Sequence, residues 1–134
     1  MNKIYNNKKK EITIHFVSDS TGETIDAAVV AVIAQFPEVK KKEFVWPMVR
    51  SVEQINNILE NTLKNPGLVV YSILNDKNRK ELEDGCKRQK LPFISPLDTL
   101  FNIIKSNLSI AQTKIAGSQH RIDENYLKKV NAFE

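Results

Sequence analysis

Ile12-Thr13-Ile14-His15-Phe16-Val17-Ser18-Asp19-Ser20-Thr21-Gly22-Glu23-Thr24, followed to Phe36 by a stretch rich in Ala, Val and Ile, reads as a strand, a polar turn and the start of a helix. The hydroxyls of this turn, one flexible glycine and the N–H groups of a helix terminus together form a potential anion cradle. Ser18, Asp19, Ser20, Thr21, Gly22 and Thr24 are therefore the candidate residues for binding a phosphate or a phospho-residue. The competing reading is helix capping, which Ser, Asp and Thr perform without any ligand. Asp19 and Thr21 are expected at an exposed strand end, with Asp19 as an orienting acceptor or base because like charges repel.

Working outward, strands and helices alternate. Phe44-Val45-Trp46 is a short strand closed by Pro47. Ser51 caps the next helix with Gln54 as its capping-box partner, and Val52, Ile55, Ile58, Leu59 and Leu63 follow at helical spacing up to Asn65-Pro66-Gly67. Leu68 to Leu74 is an almost continuous apolar run, as in a parallel strand covered on both faces. Asp76 is expected to cap a charged outer helix over about Lys77 to Gln89. Leu91 to Ser95 gives a fourth strand, and Pro96 opens a helix carrying Leu97, Leu100, Phe101, Ile104 and Leu108.

Four strand–helix units predict an α/β fold: an open parallel sheet of about four strands with helices on both faces, Rossmann-like or flavodoxin-like. Ligands of such sheets bind beyond the carboxyl ends of the strands. The turns Ser18 to Thr24, Pro47 to Ser51, Leu74 to Asp76 and Ser95 to Pro96 should line one crevice. Residues 1–106 form the expected α/β domain. Residues 107–134 read as a linker and a helix over Asp123 to Phe133, with Tyr126, Leu127, Val130 and Phe133 on one face, leading towards a missing carboxy-terminal domain.

The 134 residues suffice for a core without metal or disulfide staples, and the single cysteine, Cys86, reads as a small reduced helix residue. The expected location is the cytoplasm, because no secretory leader is visible. The longest mainly apolar stretch, Ile25 to Phe36, is shorter than the roughly 20 residues that cross a bilayer. Twenty Lys and Arg against sixteen Asp and Glu give a net charge of +4. The basic triplets Lys8 to Lys10 and Lys40 to Lys42 lack interleaved aromatics, so they read as solvated loop ends, with no nucleic-acid partner. Gly22, Gly67, Gly85 and Gly117 do not permit G-x-x-x-x-G-K-[ST] or G-x-G-x-x-G anywhere. His15, inside a strand, and His120 are too far apart in sequence to suggest a metal pair, so no metal site is expected.

Phe16-Val17-Ser18-Asp19-Ser20-Thr21-Gly22-Glu23-Thr24 resembles the amino-terminal signature of the pyruvate, phosphate dikinase and phosphoenolpyruvate synthase regulatory proteins. Gly117-Ser118-Gln119-His120-Arg121-Ile122-Asp123-Glu124-Asn125-Tyr126-Leu127-Lys128-Lys129-Val130-Asn131-Ala132 resembles the segment by which that family enters its carboxy-terminal half, although Lys128-Lys129 stands where relatives often carry arginine. The resemblance implies a bifunctional cytoplasmic enzyme. An ADP-dependent kinase inactivates the dikinase or synthase on a threonine, and a phosphate-dependent phosphorylase reverses this with release of pyrophosphate. It also implies that the P-loop-like cradle and the catalytic residues lie in the carboxy-terminal half, so ADP and inorganic phosphate are cofactors of a full-length protein and none is expected on this stretch. A homodimer is left open. The alternative is a stand-alone α/β module for anion binding or dimerisation without catalysis, in the latter case with Trp46, Pro47 and Met48 as an exposed apolar patch.

Overall fold

Period-two burial along the first long strand sorts the molecule into two layers. Ile14 and Phe16 point to one face of the sheet and His15 and Val17 to the other, all of them buried. The computed structural model describes residues 4–108. These comprise β1 (Tyr5–Asn6), β2 (Glu11–Ser18), α1 (Glu23–Ile33), β3 (Lys40–Trp46), α2 (Val52–Lys64), β4 (Leu68–Ser72), α3 (Asp76–Gln89), β5 (Phe93–Ile94) and α4 (Asp98–Leu108). The first two residues of the expected linker, Asn107 and Leu108, belong to α4; the rest of it, the helix from Asp123, His120 and the second family-like block lie outside the described residues.

β2 is the central strand. β3 pairs with it in parallel from Glu11 to Val17, β4 in parallel from Ile14 to Ser18, and β5 pairs in parallel with β4. Among the parallel strands the order is β3-β2-β4-β5, which is the flavodoxin-like arrangement rather than the Rossmann-like one. The expected α/β sheet with helices on both faces is observed. Ile25 of α1 joins Ile14, Phe16 and Val70 on one face, whereas Ile55, Ile58 and Leu59 of α2 and Leu82 and Cys86 of α3 build the larger core on the other. The two helices of that layer approach closely at Gly85, where an added Cβ would stand 2.3 Å from Leu59 Cδ1. Cys86 is buried there, and burial pushes its thiol pKa up to about 12, as befits an inert core residue.

Several boundaries differ from those expected. The sheet is not purely parallel: Tyr5 and Asn6 form a two-residue antiparallel strand against Ile12 and Glu11. β3 begins at Lys40 instead of Phe44, so Lys40 to Lys42 belong to a strand rather than a loop end. Its register with Glu11 to Thr13 overrides the low strand preference of lysine, and charge suits a sheet edge. α3 is capped by Asn75, whose side chain accepts from Asn78 N–H, and Asp76 is its first helical residue. α4 starts at Asp98, after Pro96 and Leu97, and Leu100, Ile103, Ile104 and Leu108 stay exposed among the described residues. Among those residues no helix is long and apolar enough to cross a membrane.

His15 sits in the layer with α2 and is fully buried. The Trp46 indole N–H donates to its Nδ1 at 3.1 Å, which leaves Nε2–H to donate to the Asn65 carbonyl at 2.7 Å. Phe44 stacks on the imidazole with centroids 4.7 Å apart. The ring is thus a neutral tautomer with both nitrogens satisfied, and protonation would set a second N–H against the indole donor. Trp46 is therefore half-buried, whereas Pro47 and Met48 of the patch named in the dimerisation alternative are exposed. Burial holds the His15 pKa below its ordinary value of 6.5, an effect partly offset by the Asn65 carbonyl. A folded-state pKa below the unfolded one means that the stability due to His15 is present above about pH 6.5 and is lost as pH falls towards the folded value, at up to about 1.4 kcal/mol per pH unit. Thermal melts of the wild type should fall between pH 7 and pH 5, and His15→Gln should flatten that decline. Parallel curves for the two proteins would contradict this account.

Candidate functional site

The chain reverses direction between β2 and β4, its neighbour on the side opposite β3. A ligand crevice forms at such a switch point in a doubly wound sheet. The loop from Ser18 to Thr24 leaves β2 at that position. Met48 and Val49 N–H donate to the carbonyls of Ser20 and Ser18 at 2.9 and 2.8 Å, fastening the turn after β3 to the loop. On the other side Asp19 N–H donates to Ser72 O at 3.1 Å, and Leu74 N–H donates to Asp19 Oδ2 at 2.9 Å.

Three of the four turns expected to line the crevice are joined by these bonds. The fourth is engaged elsewhere. Ser95 Oγ donates to Asp98 Oδ1 at 2.8 Å, and Asp98 takes the Arg79 guanidinium, which also pairs with Glu83 and lies over the Tyr71 ring. Burial and the Glu83 carboxylate together push the Tyr71 hydroxyl pKa well above the usual phenol range.

The six candidate residues divide into two groups. Ser18, Asp19 and Ser20 are buried, which corrects the expectation that Asp19 lies at an exposed strand end. Ser18 Oγ accepts from Ser20 N–H at 3.0 Å, and Asp19 faces β4, so these side chains serve the loop itself. The reason lies in the sheet order: β2 is flanked on both sides, so its first loop residues are enclosed by the turns of both neighbours. Thr21 is exposed, and Gly22 and Thr24 are half-buried. Gly22 is the N-cap of α1 with φ 85°, a left-handed conformation that glycine adopts without strain, and it brings no side-chain cap of its own. Thr21 Oγ1 accepts from Glu23 N–H at a long 3.4 Å, so one N–H at the start of α1 has a side-chain partner.

Arg50, one residue before the N-cap of α2, flanks the loop and is not among the residues that the sequence singles out. Its Nε–H donates to the Asp19 carbonyl at 3.1 Å, while one terminal nitrogen lies 3.9 Å from Met48 Sδ. The residue is exposed, so the outer edge of its guanidinium faces solvent beside the loop. Gln54 fixes the turn beneath it: Gln54 N–H donates to Ser51 Oγ at 3.2 Å, as the capping box requires, but Gln54 Oε1 accepts from Arg50 N–H at 2.7 Å. Glu23 and Asp26 already complement the α1 dipole, so charge pairing for an oxyanion here falls to Arg50.

Asp19 combines burial with one unsatisfied atom, since Oδ1 has no hydrogen-bond partner among the described residues. Burial raises its pKa above the ordinary 3.8, against the lowering effects of Leu74 N–H and the Arg50 charge. Among the described residues no group of three His, Cys, Asp or Glu side chains is placed to hold a metal.

This architecture defines a doubly wound α/β protein of flavodoxin-like order with a polar, arginine-flanked loop at its switch point. The chain belongs to the kinase/pyrophosphorylase family, whose sequence pattern it matches over residues 14–134. It is 37% identical over 125 residues to a protein of Erythrobacter litoralis named as a pyruvate, phosphate dikinase regulatory protein, covering 93% of this chain and 45% of that one. Proteins of the same name from Novosphingobium aromaticivorans and Caulobacter vibrioides are 35% and 34% identical over 125 and 121 residues, covering 93% and 90% of this chain and 45% and 38% of theirs. The chain therefore spans less than half the length of these relatives.

Proposed function

We propose that this chain is the amino-terminal part of a bifunctional regulator of pyruvate, phosphate dikinase or phosphoenolpyruvate synthase. The whole protein would inactivate its target by ADP-dependent threonine phosphorylation and reactivate it by phosphate-dependent dephosphorylation that releases pyrophosphate. Residues 1–106 supply the α/β domain, and residues 107–134 lead into a carboxy-terminal half that carries the nucleotide loop. The names and family of the relatives support this reading, as does the absence of any nucleotide-binding glycine motif from the sequence.

In that division of labour the loop Ser18 to Thr24 receives a phosphoryl group, either inorganic phosphate or a phosphorylated target residue. The observation that carries this is the Arg50 guanidinium, held by the Asp19 carbonyl beside the α1 terminus, where the N-cap is a glycine. Asp19 orients the loop through its Oδ2 bond to Leu74 N–H and does not hold the anion, because like charges repel.

The purified 134-residue chain should neither phosphorylate nor dephosphorylate a dikinase or synthase when supplied with ADP, phosphate and target. Turnover well above that of a blank preparation would overturn the proposed division of labour.

A further inference from the structure

We propose that the amino-terminal foot of the sheet, at the end opposite the crevice, binds a small multivalent oxyanion through the ammonium groups of Lys9, Lys42 and Lys64. A cavity of about 300 Å³ lies there between the β1–β2 hairpin, Thr13, Lys42 and the end of α2. The three lysines come from three different elements. Thr13 and Lys42 are register partners, on the same face as the His15–Phe44 pair, while Lys64 closes α2 and Lys9 sits in the hairpin turn.

Two neighbouring lysines are neutralised locally: Lys10 pairs with Glu38 at 3.0 Å and Lys41 with Glu43 at 2.7 Å. Among the described residues Lys9, Lys42 and Lys64 enter no ion pair, and Glu11 is the one carboxylate on the cavity wall. Lys42 is partly fixed, its ammonium 5.7 Å from the centroid of the Phe44 ring, which itself stacks on buried His15.

Like charges converging on a concave surface focus positive potential, and a multivalent anion relieves their mutual repulsion. The cavity volume lies at the lower end of the range for small-ligand pockets, about 300–1,000 Å³, which favours a compact anion over a folded partner. Lysine ammoniums suit such a ligand as mobile point charges, in contrast to the fixed fork of Arg50 at the crevice.

The test is a tripolyphosphate titration of the 134-residue chain at constant ionic strength, followed by amide NMR. Saturable shifts are expected at Tyr5, Thr13, Lys42 and Asn65. Lys42→Gln with Lys64→Gln should weaken binding about tenfold, and Lys9→Gln about threefold, as the loss of partly screened charge contacts implies. All three side chains are exposed, so the variants should melt like the wild type. Arg50→Gln should leave this binding unchanged, which separates the site from the crevice. Non-saturating shifts spread over every lysine, or unchanged affinity in the double variant, would overturn the proposal.

Discussion

Asp19→Ala is expected to destabilise the chain by about 2 kcal/mol, which for a domain of this size lowers the melting temperature by roughly 10 °C. The substitution leaves the buried Leu74 N–H without the acceptor it has at 2.9 Å and unties β2 from the turn after β4. Asp19→Asn should behave differently. The amide oxygen replaces Oδ2 opposite Leu74, the NH₂ group occupies the place of the unpartnered Oδ1, and the buried charge is removed.

Because burial raises the folded-state pKa of Asp19, the stability due to its protonated form is complete below about pH 3.8 and is lost as pH rises through the folded value. Ionised Asp19 therefore costs stability at neutral pH, and Asn relieves that cost. At pH 7 the Asn variant should melt at or above the wild-type temperature while the Ala variant melts well below it. Equal losses in both variants would show that the carboxylate charge itself holds the loop.

Local pattern was enough to reveal the strand–turn–helix around Ser18. Apolar alternation ends at a polar run, and each side of that break has its own periodicity. It also showed the capping box at Ser51, since Gln54 lies within one turn. The burial of Asp19 was not legible because it depends on Leu74, 55 residues away, and on the enclosure of β2 by two parallel neighbours. Arg50 escaped notice for the same reason, since its partner is a backbone carbonyl 31 residues away that leaves no mark on residue type. The start of β3 was hidden by three lysines that only register with β2 makes strand-like. β1 has two residues, too few for any period to show. At the start of α3 Asn75 and Asp76 are adjacent and both are good caps, so composition alone could not choose between them.

Arg50→Gln in the full-length protein that carries this stretch should produce the largest functional loss. A charged hydrogen bond to a phosphoryl oxygen contributes about 1.5–3 kcal/mol, equivalent to roughly a 10- to 150-fold effect, and glutamine cannot supply the charge. Arg50 is exposed and none of its contacts holds the core, so folding should be spared; any loss of the Nε–H bond to the Asp19 carbonyl should change stability by about 1 kcal/mol at most. Thr21→Ala, on the same rim, should cause a smaller loss of the same kind. The decisive measurement is the rate of ADP-dependent phosphorylation of the target threonine by wild-type and Arg50→Gln protein, taken together with their melting temperatures. The account predicts a rate reduced about 10- to 150-fold with a nearly unchanged melt. An unchanged rate, or a loss of rate matched by a large fall in melting temperature, would contradict the assignment of the Ser18 to Thr24 crevice as a phosphoryl-binding site.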